Sequence, residues 1–227
     1  VVYFFRKNDS LLHFVKPVFD RRVFLKTCTN GSSELMTNLS MSLVNALYNL
    51  QLMKIAGENG VAAYGAVMYV NFIFVATFLG YAIGCAPVIS YHYGAGNHAE
   101  LKNLYKKSMS IILVWGVILF GAAQLLAPVL SKIFVGYNTG LYAMTLHGFR
   151  VYAIAFLIIG INIFGSSFFT ALNNGLISAV ISFLRTLVFQ VIMVLTLPLW
   201  FGINGIWSAI SIAEALTLIM TTTFFVR

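Results

Sequence analysis

The sequence predicts an all-α integral membrane protein, a bundle of six transmembrane helices. Three observations carry that prediction: 60% of the 227 residues are hydrophobic, only 9% are charged, and mean hydropathy is +0.90. A soluble domain carries roughly 25% charged residues, so a water-soluble globule is excluded. With Phe 20, Tyr 11 and Trp 3, a solvated disordered chain is excluded as well. Six apolar runs stand at 32–54, 62–87, 108–133, 146–171, 176–200 and 204–226, each near the roughly 20 residues that a bilayer crossing requires.

Ahead of the first run, the opening VVYFF followed by Arg6 and Lys7 reads as the tail of a preceding helix. Residues 1–30 are therefore expected to be the end of that helix plus a basic cytoplasmic linker, and 31–227 the six-helix bundle. In the linker Arg6, Lys7, Lys16, Arg21, Arg22 and Lys26 alternate with Leu11, Phe14, Phe19 and Phe24. Either a segment on the membrane surface or a solvated connector fits that mixture. Turn chemistry separates the runs: GENG at 57–60, YGAGN at 93–97, GYNTG at 136–140, NNG at 173–175 and FGING at 201–205. Pro87, Pro128 and Pro198 fall near the expected helix ends, where a missing amide donor is best tolerated.

The formal charge of +8 reads as topology rather than as an affinity for nucleic acid. Alternating the loops places ten of the 14 Lys and Arg on one side, against Lys54, Lys132 and Arg150 on the other, with Arg185 inside a helix. The cation-rich side, which holds both chain ends, is expected to be cytoplasmic. Six helices with both ends on one side fit one repeat of a two-repeat transporter.

Ionisable residues inside a bilayer are costly and mark candidate function. Arg185 in the fifth run and Glu214 in the sixth qualify. Counted from the cation-rich side at 1.5 Å per residue, they lie about 14 Å and about 18 Å deep, on helices joined by a short turn. A direct or water-bridged ion pair is geometrically feasible, either purely structural or part of a proton or cation relay. On the first helix Glu34, Asn38, Ser42, Asn45 and Asn49 recur at helical spacing and define one face. That face should line a central cavity or bind neighbouring helices through its amides, with Glu34 also placed to cap the helix start. Asn71, Asn162 with Ser166, and Gln190 are lesser candidates, and Tyr48, Tyr69 and Phe72 are aromatic ones.

Catalysis finds little support. His13, His92, His98 and His147 are dispersed, and neither HExxH, a nucleophile elbow nor a phosphate loop occurs. Cys28 and Cys85 suggest neither a disulfide framework nor a metal site. No cofactor and no metal are expected.

Three stretches together resemble the multidrug and toxic compound extrusion (MATE) family, in its bacterial drug-efflux branch. GSSELMTNLSMSLVNALYN at 31–49 is similar to the start of that family's seventh helix. GCAPVISYHYGAGNHAELKNLYKKS at 84–108 is similar to its eighth-to-ninth connection. SFLRTLVFQ at 182–190 and PLWFGINGIWSAISIAE at 198–214 are similar to its last two helices. The resemblance implies the second half of a twelve-helix, two-bundle secondary antiporter. By alternating access it would export cationic amphipathic compounds in exchange for H+ or Na+ across a bacterial cell (inner) membrane. Its implied partners are those compounds, the lipid bilayer and an N-terminal six-helix bundle. Candidate substrate or ion pathway residues are Glu34, Asn38, Asn45, Asn49, Asn162, Arg185 and Glu214. Sodium-coupled members often carry acids in the middle of the seventh and tenth helices; here those regions offer Met41 or Ser42 and Gly160 or Asn162. The competing readings are a flippase for lipid-linked sugars, against which the single deep cation Arg185 argues, and a truncated six-helix module without transport.

Overall fold

A computed structural model describes residues 19–226, without the side chains of Asn30, Ser33, Glu34, Met36 and Val226. Every element among the described residues is helical. The helix Arg21–Gly94 is broken at Gly57, where φ is 62° and ψ −153°; its arms are α1 (21–56) and α2 (58–94). Then come α3 (His98–Val135), α4 (Thr139–Ala171), α5 (Gly175–Phe201) and α6 (Ile203–Val226). Within α4 a 3₁₀ turn spans Ala153–Ala155, and within α5 a π-helical stretch spans Leu184–Phe189.

The apolar runs identify the crossings but understate the helices. α1 starts at Arg21 rather than 32, because Asp20 caps it: its carboxylate accepts from the amides of Arg22 (2.8 Å) and Val23 (3.2 Å). Beyond that cap the hydroxyls of Thr27 and Thr29 donate back to the carbonyls of Val23 and Leu25 at 3.0 and 2.9 Å, so polar residues remain helical. The part of the basic linker from Arg21 onward is thus continuous with the first spanning helix; residues 1–18 lie outside the described residues. Likewise α2 runs past Pro87 to Gly94, and α3 starts at His98, capped by Asn97 through the Glu100 amide at 3.2 Å. Pro128 lies inside α3. Hydropathy reports where a helix meets hydrocarbon, and a helix continues for turns beyond it.

The expected turn at 57–60 shrinks to one residue. Gly57 takes a backbone conformation that is essentially confined to glycine, and α1 folds back on α2 so that Tyr48 and Tyr64 stack at 5.0 Å. Gly57→Ala is expected to cost about 1–3 kcal/mol, read as a lower midpoint of thermal unfolding in detergent. An unchanged midpoint would show that the bend tolerates a side chain.

The core centres on α4, whose Phe149, Ala153, Ala155, Phe156, Ile159 and Phe164 are buried. Small residues bring its neighbours close. Gly148 faces the Trp207 indole of α6, Gly160 the Phe78 ring of α2, and Gly165 the Thr221 methyl of α6. Hydroxyls join the helices elsewhere: Ser166 of α4 lies 2.9 Å from both Ser178 and Ser182 of α5, and Ser90 of α2 donates to the Ala171 carbonyl at 2.9 Å.

Candidate substrate and ion pathway

Glu214, on α6, is 1% exposed, and its carboxylate receives donors from two other helices. From α5, Arg185 Nε donates to Oε1 at 2.8 Å and to Oε2 at 3.1 Å. From α4, the fully buried Asn162 donates Nδ2 to Oε2 at 2.7 Å and to the Glu214 carbonyl at 2.9 Å. The juxtaposition of Arg185 and Glu214 expected from their depths is therefore formed. Asn162, a pathway candidate not linked to the pair by the sequence, is its third member. Arg185 sits in the π-helical part of α5, a distortion found often at functional sites.

The cluster borders a cavity of about 320 Å3 enclosed by α1, α2, α4, α5 and α6. Its lining brings together the polar Arg185, Glu214, Thr186, Gln190, Asn45, Tyr48, Tyr64 and Asn71 and the apolar Met41, Met68, Val75, Ile159 and Ile163. Asn45 Oδ1 accepts from the Tyr64 hydroxyl at 3.0 Å. Three buried polar atoms around this region have no protein partner among the described residues: the Tyr48 hydroxyl, Asn71 Oδ1 and Asn162 Oδ1. A buried polar atom that no protein group satisfies calls for a water or a ligand.

The polar stripe on α1 does not enter this bundle as a unit. The buried face of α1 is Ser40, Val44, Tyr48 and Leu52. Asn45 follows Val44 by one residue, about 100° of helical rotation, and stands half-buried at the cavity edge. Asn38 and Ser42, further round, are exposed and do not face the interior of this bundle. Asn49 is exposed too, but borders a shallow groove of about 260 Å3 with Asn45, Tyr64 and Tyr69. The Glu34 side chain lies outside the described residues. Of the lesser candidates Asn71 and Gln190 line the cavity, whereas Ser166 serves the α4–α5 contact. Tyr64, Tyr152 and Thr186 escaped the sequence reading, since single aromatic and hydroxyl residues in so aromatic a chain carry no distinguishing spacing.

Among the described residues no group of three His, Cys, Asp or Glu is placed to hold a metal. The Arg185–Glu214–Asn162 cluster is a hydrogen-bonded ion pair with an amide as its third member.

The fold has close counterparts among solved structures. A MATE transporter in its bent conformation superposes with a TM-score of 0.89 at 21% identity, over 98% of this chain and 50% of that one. An outward-facing multidrug resistance MATE family transporter of the MOP superfamily gives 0.87 at 22% identity, over 98% and 51%. A MOP superfamily transporter from Pyrococcus furiosus, described as having a binding pocket of reverse polarity, gives 0.85 at 21% identity, over 95% and 49%. The chain thus spans about half the length of each. No curated protein matches it. The family model MatE matches residues 35–196, which takes in the α1–α2 hairpin, the core helix α4 and Arg185. The members of that family are secondary transporters and not enzymes, and over most of its length this chain belongs to the MatE family.

Proposed function

We propose that the chain is one half of a secondary multidrug antiporter of twelve helices. It exports cationic amphipathic compounds in exchange for H+ or Na+ by alternating access, in a bacterial inner membrane. The observation that carries the reading is the buried Arg185–Glu214–Asn162 cluster beside a largely apolar cavity that Asn45, Asn71 and Gln190 also line. A structural core would be as stable or more so with apolar residues in place of a buried ion pair. A transporter needs a bistable element whose equilibrium an ion can bias. When Arg185 leaves Glu214, the carboxylate needs another counter-cation, and a proton or a sodium ion supplies it.

The exposed side of α1 supports the two-bundle arrangement. Asn49, an exposed amide, is costly against lipid tails, so this side of α1, with Asn38 and Ser42, should face the partner bundle across a shared, water-filled cleft. Asn45 and Asn49 then contribute to the substrate path. Export of a fluorescent cationic dye by cells producing the full gene product tests the function. Dye retention equal to that of cells lacking the gene would overturn it.

The topology is tested separately. Both ends of the bundle's chain are expected in the cytosol, so single cysteines at Asn59 and at Lys106 should be labelled by a membrane-impermeant thiol reagent from opposite sides. Labelling of both from one side would refute the arrangement.

A further inference from the structure

At the cation-rich end, the first turns of α3, the last turns of α4 and α6 and Tyr93 near the end of α2 line an open groove of about 300 Å3, separate from the cavity beside Glu214. Its floor is aromatic. Tyr105 and Phe225 stand 4.7 Å apart, and Phe168 lies 5.7 Å from the first and 5.6 Å from the second. Leu101 closes one side, and the rim carries His98 and Lys102, both exposed. The groove is thus divided along its length into an apolar base and a cationic edge, at a helix end where a bilayer passes from acyl chains to headgroups. The N-terminus of the 38-residue α3 adds its positive dipole end to the same edge. One acid stands near: Glu100, whose Oε2 accepts from the Asn103 amide at 3.1 Å and which does not line the groove. Against it are Lys102, Lys106 and Lys107, so the local balance remains positive.

We propose that this groove is a binding site for one anionic phospholipid of the adjoining leaflet. Its phosphate sits at Lys102 and His98, and the first part of an acyl chain lies on Tyr105, Phe168 and Phe225. Charge complementarity selects the occupant. Basic pockets between spanning helices recognise anionic headgroups, and the ring floor presents flat apolar surface for a chain, with no row of donors for a small polar solute. A zwitterionic lipid would offer the same chain, but its ammonium would compensate the phosphate that the rim attracts.

Native mass spectrometry of the purified full gene product in detergent, titrated with dioleoyl phosphatidylglycerol, dioleoyl phosphatidylcholine or glycerol 3-phosphate, tests the assignment. One tightly retained phosphatidylglycerol is expected, with phosphatidylcholine about tenfold weaker and glycerol 3-phosphate not retained. The double variant Lys102→Glu with His98→Gln should lose the preference, and the milder Lys102→Ala should weaken it while preserving helicity. Lys54→Glu, at the opposite end, should leave it intact. Equal retention of the two lipids, an undiminished preference in both Lys102 variants, or retention of glycerol 3-phosphate as strong as that of the lipid would each overturn the proposal.

Discussion

Trp207→Ala should lower stability by about 3 kcal/mol, the low end of what losing a buried large aromatic side chain costs. Trp207 is 1% exposed, and its indole fills the space that Gly148 leaves open on α4. A Cβ at Gly148 would lie 2.6 Å from the indole Cε2, so neither residue can change alone without consequence. In a bilayer the removed ring loses packing rather than hydrophobic transfer, because lipid tails are as apolar as the core, which is why the low end of the range applies. Gly148→Val should cost about 1–3 kcal/mol by overpacking. Combining it with Trp207→Ala should recover part of both losses, since the new side chain enters the vacated volume. Midpoints of unfolding in detergent for the four proteins measure this. Strict additivity would show that the two residues do not share one space.

The cluster around Glu214 was legible because ionisable groups are scarce in this chain: six acids among 227 residues make a deep one conspicuous. Depth arithmetic along two adjacent helices then brings Arg185 opposite. Asn162 was harder to see, for an amide in a spanning helix most often serves packing, and only the fold shows it donating to the carboxylate. What the α1 stripe faces was not legible, for a different reason. Spacing correctly places Asn38, Ser42, Asn45 and Asn49 on one face, but nothing in a single helix states which neighbour that face meets. Val44 and Tyr48, one step round the helix, are what the fold buries, with Tyr48 stacked on Tyr64 of α2. Helix length was invisible to hydropathy for the reason seen at Asp20 and Asn97. A cap outside the hydrocarbon can begin a helix well before its first apolar residue.

Replacing one member of the buried pair should be far more damaging than replacing both. Arg185→Leu leaves the Glu214 carboxylate, 1% exposed, with Asn162 as its remaining side-chain donor. Glu214→Leu leaves a guanidinium whose side chain is only 14% exposed without its counter-charge. Breaking a buried pair by removing one partner costs about 3–5 kcal/mol, whereas apolar residues in place of both are often neutral or stabilising. Asn162 limits the recovery, since its Nδ2 would keep only the Glu214 backbone carbonyl, at 2.9 Å, and an underused amide donor costs about 1–3 kcal/mol. The double variant should therefore regain most, not all, of the lost stability, and the triple variant with Asn162→Leu more still. Stability alone does not separate a structural pair from a coupling pair, so ion-driven export of a cationic dye, corrected for the amount of folded protein, is measured on the same variants. A coupling role requires that the double variant be folded and abundant yet export at background level, because Leu at position 214 can bind neither a proton nor sodium. Glu214→Gln sharpens the distinction: it retains hydrogen-bonding capacity toward Arg185 but cannot exchange an ion, so it too should fold without exporting. Full export by the folded double variant would confine the pair to a structural role and move the coupling site elsewhere in the transporter.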